Sequence, residues 1–237
     1  MPSVPRLLVF DLDGTLIDSR VDLCNSVNAM LSRYGKPRLA EATIADYIGD
    51  GALTLVRRAL AHAHLIADEA DPHDDEFVMD ALVWFIGYYR VHKLDYTYVY
   101  PGVMESLTAI RERHPHLPMA VLTNKPVDPS RAICDHFGLS RFFFANYGGN
   151  SFTSKKPFPE GLRTLIAKAS ACLPSEPRIE PSETVMIGDS HIDVATAHAC
   201  GTRSLGCTFG LSPVTLAAAE PDRSVDHASD WPSALGL

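Results

Sequence analysis

The chain has 237 residues, 46% of them hydrophobic and 21% charged, with a formal charge of −8. That is enough chain to bury one large core, or a core plus a smaller module, in the proportions of a soluble globular protein. The negative balance, with no basic cluster or aromatic RNA-binding motif to offset it, argues against a nucleic-acid partner, and no apolar run approaches the length of a membrane span.

Leu7 to Phe10 is an unbroken apolar run, as expected of a strand buried on both faces of a parallel sheet. Asp18 or Ser19 then caps a helix to about Tyr34, with Gly35 as its stop. A second helical stretch starts near Leu39 and breaks at Gly49-Asp50-Gly51. A third runs to about His64, and a polar, acidic loop from Ile66 to Asp75 contains Pro72. A long helix follows from Asp75 to about Lys93. Residues 17–96 thus contain helices and no convincing strand, which predicts a separate helical module inserted after the first strand.

From Tyr100 strands and helices alternate. Pro101-Gly102 opens a helix that the Pro-rich 114–118 segment ends, and Met119 to Leu122 is a second buried strand. Pro129 to Phe137 is a short helix, Phe142 to Ala145 a third strand, and a helix after Pro159 reaches about Leu173. Pro174 to Glu183 reads as a surface loop and Thr184 to Ile187 as a fourth strand. A helix to Cys200 stops at Gly201, and Arg203 to Cys207 is the fifth strand. A short helix, a polar stretch and a Trp231-Pro232 turn close the chain. The alternation predicts an α/β fold with a doubly wound parallel sheet, a Rossmann-like core from 1–16 and 97–237, and an inserted all-helical cap over 17–96.

Three of these strands end in polar residues: Asp11 and Asp13, then Thr123 and Asn124, then Asp189. Parallel strands present their carboxyl ends on one edge, so these groups can converge. Singly, each reads as well as a turn or a helix cap. The string Asp-x-Asp-Gly-Thr-x-x-Asp-Ser from Asp11 to Ser19 is more specific, and Gly14 allows the tight turn that keeps both acids at the strand end. Five cysteines, odd in number and without a Cys-x-x-Cys pair, predict small core residues in a reducing compartment. Met1 leads within a few residues into the first strand, which leaves no room for a secretory leader and predicts a cytoplasmic protein. The ten histidines show no metal-ligand spacing, and His191 beside Asp189 reads as a surface residue.

In this order the strand ends, with Lys155-Lys156-Pro157-x-Pro159, resemble the four motifs of the haloacid-dehalogenase-like hydrolases. These are mostly Mg²⁺-dependent phosphatases that pass through an aspartyl phosphate. The resemblance implies Asp11 as nucleophile and Asp13 as the acid for the leaving oxygen and then the base for water. It implies Thr123, Asn124 and Lys156 around the phosphoryl group. It also implies Mg²⁺ on Asp11, the backbone carbonyl of Asp13, and Asp189. Asp193 reads either as an acid holding metal-bound water or as an exposed acid facing the helix dipole. Lys155 reads as a solvated neighbour of Lys156, and Lys125 as a charge near the same edge.

Within that superfamily the chain is most similar to bacterial phosphoglycolate phosphatases, over nearly its whole length. The matching strings are Tyr-Ile-Gly-Asp-Gly-Ala at 47–52, Arg-Ala-Leu at 58–60, Tyr88-Tyr89, Tyr-Pro-Gly-Val at 100–103, Thr-Asn-Lys-Pro at 123–126, and Gly148-Gly149 leading to the Lys-Lys-Pro-x-Pro segment. The acidic segment near Asp68 to Asp75 departs from that pattern. The resemblance implies hydrolysis of 2-phosphoglycolate, a small phosphorylated metabolite as the only partner, and a monomer or homodimer. A sugar-phosphate or nucleotide phosphatase, a phosphomutase, and a non-catalytic regulator binding a phosphometabolite are the alternatives. Gly49, Asp50 and Gly51, followed by a helix start, are expected to meet a substrate carboxylate, with Arg57 or Arg58 assisting. The other reading is a helix-to-helix turn capped by Asp50.

Overall fold

The computed structural model describes residues 4–67, 74–173 and 175–237. Most of the acidic segment (68–73) and Pro174 lie outside the described residues. The chain separates into two compact units, one formed by Met1–Asp18 with Val99–Leu237 and the other by Ser19–Tyr98.

The first unit is built around β1 (Leu7–Phe10), whose four side chains are all buried. Its neighbours are β4 (Met119–Leu122) and β6 (Thr184–Gly188), both parallel to it, with Leu8 opposite Met119 on one side and Val185 on the other. The sheet extends outward through β5 (Ala145–Tyr147) beside β4, and through β7 (Arg203–Cys207) and β8 (Arg223–Val225) beside β6. The order β5-β4-β1-β6-β7-β8 reverses direction at β1. Ligands of open α/β sheets bind at the carboxyl ends of the strands beside such a reversal. Short strands β2 (Ile17–Asp18) and β3 (Tyr98–Val99) form a separate two-stranded sheet.

Alternation along β1 supplies both faces of the sheet. Leu7 and Val9 pack with Leu162, Leu165 and Ala169 of α7 (Glu160–Ala171) and with Ala197 of α8 (His191–Cys200). Phe10 points the other way, its ring 5.8 Å from Phe143 and 5.2 Å from Trp231, which is fully buried. Helices α5 (Val103–Arg113), α6 (Val127–His136), α9 (Pro213–Ala218) and α10 (Trp231–Leu235) complete the unit.

Within the large sheet, departures from the sequence reading fall at the margins, and Ile17–Asp18, expected in the helical module, is strand β2. The third strand is not Phe142 to Ala145: Leu139–Phe142 forms a 3-10 helix and the strand is Ala145–Tyr147. Of that apolar run, Phe142 is buried as the last residue of the 3-10 helix and Phe144 is exposed, so the run does not mark a strand. The polar stretch near the end contains a sixth strand, β8, whose Arg223 and Ser224 are exposed, so no apolar pattern announces it. The Trp231-Pro232 turn is the first turn of α10, with proline at a position where its missing N–H costs nothing. Cys172 is exposed, while Cys24, Cys134, Cys200 and Cys207 are buried as expected and no cysteine is bonded to another.

The second unit has its own core. Leu23, Val27, Met30 and Leu31 of α1 (Arg20–Arg33) meet Leu55, Val56, Ala59 and Leu60 of α3 (Ala52–His62) and Val78, Ala81 and Phe85 of α4 (Asp75–His92). The second helical stretch is shorter than expected: α2 covers only Glu41–Ala45, and its Ile44 is buried. Buried Asp22 accepts hydrogen bonds from the Tyr96 N–H at 3.0 Å and from the Thr97 N–H and hydroxyl at 2.8 and 2.7 Å. The acid thus satisfies backbone that the returning chain would otherwise bury unpaired. Among the described residues no helix is long and apolar enough to cross a membrane.

Candidate active site

Asp11 follows β1 directly, and its N–H continues the sheet by donating to the Ile187 carbonyl at 2.8 Å. The next turn brings the chain against the end of β6. Gly14 has φ +89°, and a Cβ there would stand 2.1 Å from Asp189 Oδ2. Only glycine allows that approach. Asp189 follows β6. Its Oδ2 accepts from the Leu211 N–H at 2.7 Å and its Oδ1 from the Thr15 hydroxyl at 3.5 Å.

Asp193 is the third helical residue of α8 and forms a capping box with Ser190. Its Oδ2 accepts from the Ser190 N–H at 3.1 Å and hydroxyl at 2.8 Å, while its Oδ1 meets Lys156 Nζ at 2.6 Å. Of the two readings of Asp193, the exposed one is excluded: Asp193 is buried, and it caps the helix and holds the lysine at once. Lys156 also reaches Asp11 Oδ1 at 2.8 Å, so one buried ammonium bridges two buried acids. Lys155 is half-buried.

Asp11, Asp189 and Asp193 each offer an oxygen within 4.8 Å of the others'. Like charges so close, with little water, favour protonation. Burial, then repulsion from Asp193 and Asp13, pushes the Asp11 carboxyl up to about 6 against the pull of Lys156. Burial, then Asp193 and Asp11, holds Asp189 well above the ordinary carboxylate range. Burial works against the Lys156 ammonium, but Asp11 and Asp193 outweigh it and raise its pKa. A cluster of oxygen-only donors with one internal cation suits a hard divalent metal ion, whose charge offsets the remaining repulsion. A divalent cation fits this donor set, with Asp11 and Asp189, which take fewer protein donors than Asp193, as the acids that could hold it.

Thr123 and Asn124 follow β4. The Thr123 hydroxyl accepts from the Lys125 N–H at 3.2 Å and keeps its own hydrogen to donate. Asn124 Nδ2 donates to the Lys156 carbonyl at 3.0 Å, tying this strand end to the lysine loop. Sequence reasoning placed Lys125 only near the edge. It is buried, with Nζ at 2.9 and 3.0 Å from the two Asp13 oxygens. Its position directly after Thr123-Asn124 was the available signal. His191 is exposed, as expected. The structure therefore gathers Asp11, Asp13, Thr123, Asn124, Lys156, Asp189 and Asp193 at the carboxyl edge of one sheet.

Gly49, Asp50 and Gly51 belong to the helical unit. Gly49 and Gly51 have φ +118° and +89°, the left-handed region that side chains disfavour. Gly51, not Asp50, takes the N-cap position of α3. Asp50 Oδ2 instead pairs with Arg58 Nη1 at 2.7 Å, while Arg57 pairs with Asp75.

The sequence matches the family described as haloacid dehalogenase-like hydrolase over residues 8–207. Phosphoglycolate phosphatase from Pseudomonas putida is 37% identical over 211 residues, 89% of this chain and 72% of that protein. Phosphoglycolate phosphatase from Vibrio vulnificus (strain YJ016) is 34% identical over 93% of this chain and 92% of its own. The crystal structure of a predicted phosphoglycolate phosphatase from Haemophilus somnus superposes with a TM-score of 0.85 at 29% identity, covering 98% of both chains. With motifs, sheet order and site in agreement, the chain belongs to the haloacid dehalogenase-like hydrolase family.

Proposed function

We propose that this enzyme is a Mg²⁺-dependent phosphomonoesterase that hydrolyses 2-phosphoglycolate to glycolate and phosphate through an aspartyl phosphate on Asp11. The observation that carries the chemistry is the convergence of Asp11, Asp189 and Asp193 around buried Lys156, with Asp13 and Thr123 at the same edge. The substrate assignment is supported by the similarity to the Pseudomonas and Vibrio enzymes.

An Asp11 oxygen attacks phosphorus as the bond to the leaving oxygen breaks, and Asp13 gives that oxygen a proton. Asp13, now a carboxylate, takes a proton from water. The water oxygen attacks phosphorus, the Asp11–phosphate bond breaks, and phosphate leaves. Thr123, Asn124 and Lys156 donate to the phosphoryl oxygens, where charge is highest. Mg²⁺ held by Asp11, the Asp13 carbonyl and Asp189 would add positive charge that lets one anion approach another. Asp193 orients Lys156 and stands behind the metal ligands.

The helical unit acts as a cap in this reading. Its Gly49-Asp50-Gly51 loop, with the α3 N-terminus and Arg58, recognises the carboxylate that distinguishes 2-phosphoglycolate from simpler phosphates. The enzyme works in the cytoplasm. A screen of phosphomonoesters with Mg²⁺, following phosphate release, tests the assignment. It predicts 2-phosphoglycolate as the best substrate. Preference for a sugar phosphate would assign the enzyme to another branch of the family, and saturable binding without phosphate release would make it a regulator.

A further inference from the structure

The ion pair between Lys125 and Asp13 has no task in the scheme above. Lys125 lies just beyond β4 and is only 6% exposed, though it carries one of the longest and most flexible side chains. Ordering and burying such a chain opposes folding, so its contact should return something. Its Nζ stands 2.9 Å from Asp13 Oδ1 and 3.0 Å from Oδ2. An ammonium nearly equidistant from both oxygens restrains rotation of the carboxyl about its last bond. The sheet brings the two together: β1 and β4 pair with Phe10 opposite Val121, so the turn after one strand faces the turn after the other. Asp13 sits in a loop rather than on the strand, so the strand itself does not fix its side chain.

We propose that Lys125 is a positioning residue that fixes the orientation of the Asp13 carboxyl for its proton transfers, an inference that rests on the aspartyl-phosphate reading above. Proton transfer needs the carboxyl within hydrogen-bond reach of the leaving oxygen or the water, in the correct plane. A misplacement of about 1 Å at a reacting group costs on the order of 10²-fold in rate. Lys125 thus acts through Asp13 and not on the phosphoryl group.

The test uses Lys125→Met, which keeps the apolar stem and removes the charge, with Lys125→Arg, Asp13→Asn and the Asp13→Asn/Lys125→Met double variant. Two rates are read. One is steady-state turnover of 2-phosphoglycolate, whose alkoxide needs a proton. The other is the burst of p-nitrophenolate from p-nitrophenyl phosphate, whose leaving group barely does. Lys125→Met should lower kcat on 2-phosphoglycolate by about 10²-fold, leave KM little changed, and reduce the burst far less. The double variant should be no slower than Asp13→Asn, and Lys125→Arg should recover most of the rate. Thermal unfolding checks that each variant folds. If Lys125→Met does not, Lys125→Gln, which stays polar in the buried site but lacks the charge, should still show a selective loss on 2-phosphoglycolate, and none on either substrate would overturn the proposal. Equal loss of both rates in Lys125→Met, or losses that multiply in the double variant, would also overturn it while leaving the role of Asp13 standing. If Asp13→Asn itself lost both rates equally, the reading of Asp13 would fail, and this inference with it.

Discussion

Asp11→Asn should stabilise the metal-free protein while abolishing its activity. Asp11 is buried beside Asp193 and Asp189 and its carboxyl is pushed up to about 6 from the ordinary 3.8, burial being the largest cause. A carboxyl raised on folding binds its proton more tightly in the folded chain than in the unfolded one. The resulting cost is absent below about pH 4 and complete above about pH 6, so stability falls as pH rises through that window. The gap corresponds to about 3 kcal/mol at neutral pH. Asparagine keeps the shape and removes the charge, so it recovers up to that amount. In a chain of this length about 3 kcal/mol is worth roughly 6–12 °C in Tm. The assay is thermal unfolding of both proteins in EDTA at pH 5 and pH 7.5. Other carboxylates titrate in the same range, but the difference between the two proteins isolates Asp11. The gain for Asp11→Asn should be larger at pH 7.5 than at pH 5. Saturating Mg²⁺ should reverse the order by stabilising the wild type more. A variant less stable than the wild type at pH 7.5 in EDTA would refute the reasoning, because the Lys156 attraction would then outweigh burial and repulsion together.

Asp13→Asn should lower turnover of 2-phosphoglycolate by about 10²–10⁴-fold and slow the p-nitrophenolate burst much less, as stopped-flow absorbance would show. EDTA should silence the enzyme and Mg²⁺ restore it, with Ca²⁺ a poor substitute because its looser coordination misplaces the attack. Asp189→Ala should raise the Mg²⁺ concentration needed for half-maximal activity or eliminate activity, and an unchanged Mg²⁺ titration would remove Asp189 from the metal site. Gly51→Val meets a φ of +89° that a β-branched residue resists. It should harm turnover of 2-phosphoglycolate far more than that of p-nitrophenyl phosphate, which lacks the carboxylate, and equal impairment would leave the loop as scaffold.

The sequence announced its structure most clearly where burial is complete. β1, β4 and the Val185–Ile187 stretch of β6 are buried throughout, so continuous apolar runs betray them. The edge strands β5 and β8 are part exposed, and pattern reading displaced the first and missed the second. The acids at the strand ends were legible because polar residues interrupting such runs are expensive to bury without a purpose. What was not legible was who holds whom. The Lys156 link to Asp193, the Leu211 N–H on Asp189, and the Lys125 grip on Asp13 all join residues distant in sequence. Their pairing is set by strand order and turn shape, which spacing along the chain does not encode.

The covalent intermediate is the claim on which the rest depends. Enzyme mixed with 2-phosphoglycolate and Mg²⁺, quenched in acid within a turnover and digested, should yield a phosphorylated peptide from the β1 end. Fragmentation should place the phosphoryl group on Asp11, and hydroxylamine treatment should remove it. Asp11→Asn should give neither the modified peptide nor phosphate. Phosphate released at a normal rate with no phosphorylated Asp11 at any quench time, and comparable turnover by Asp11→Asn, would contradict the account.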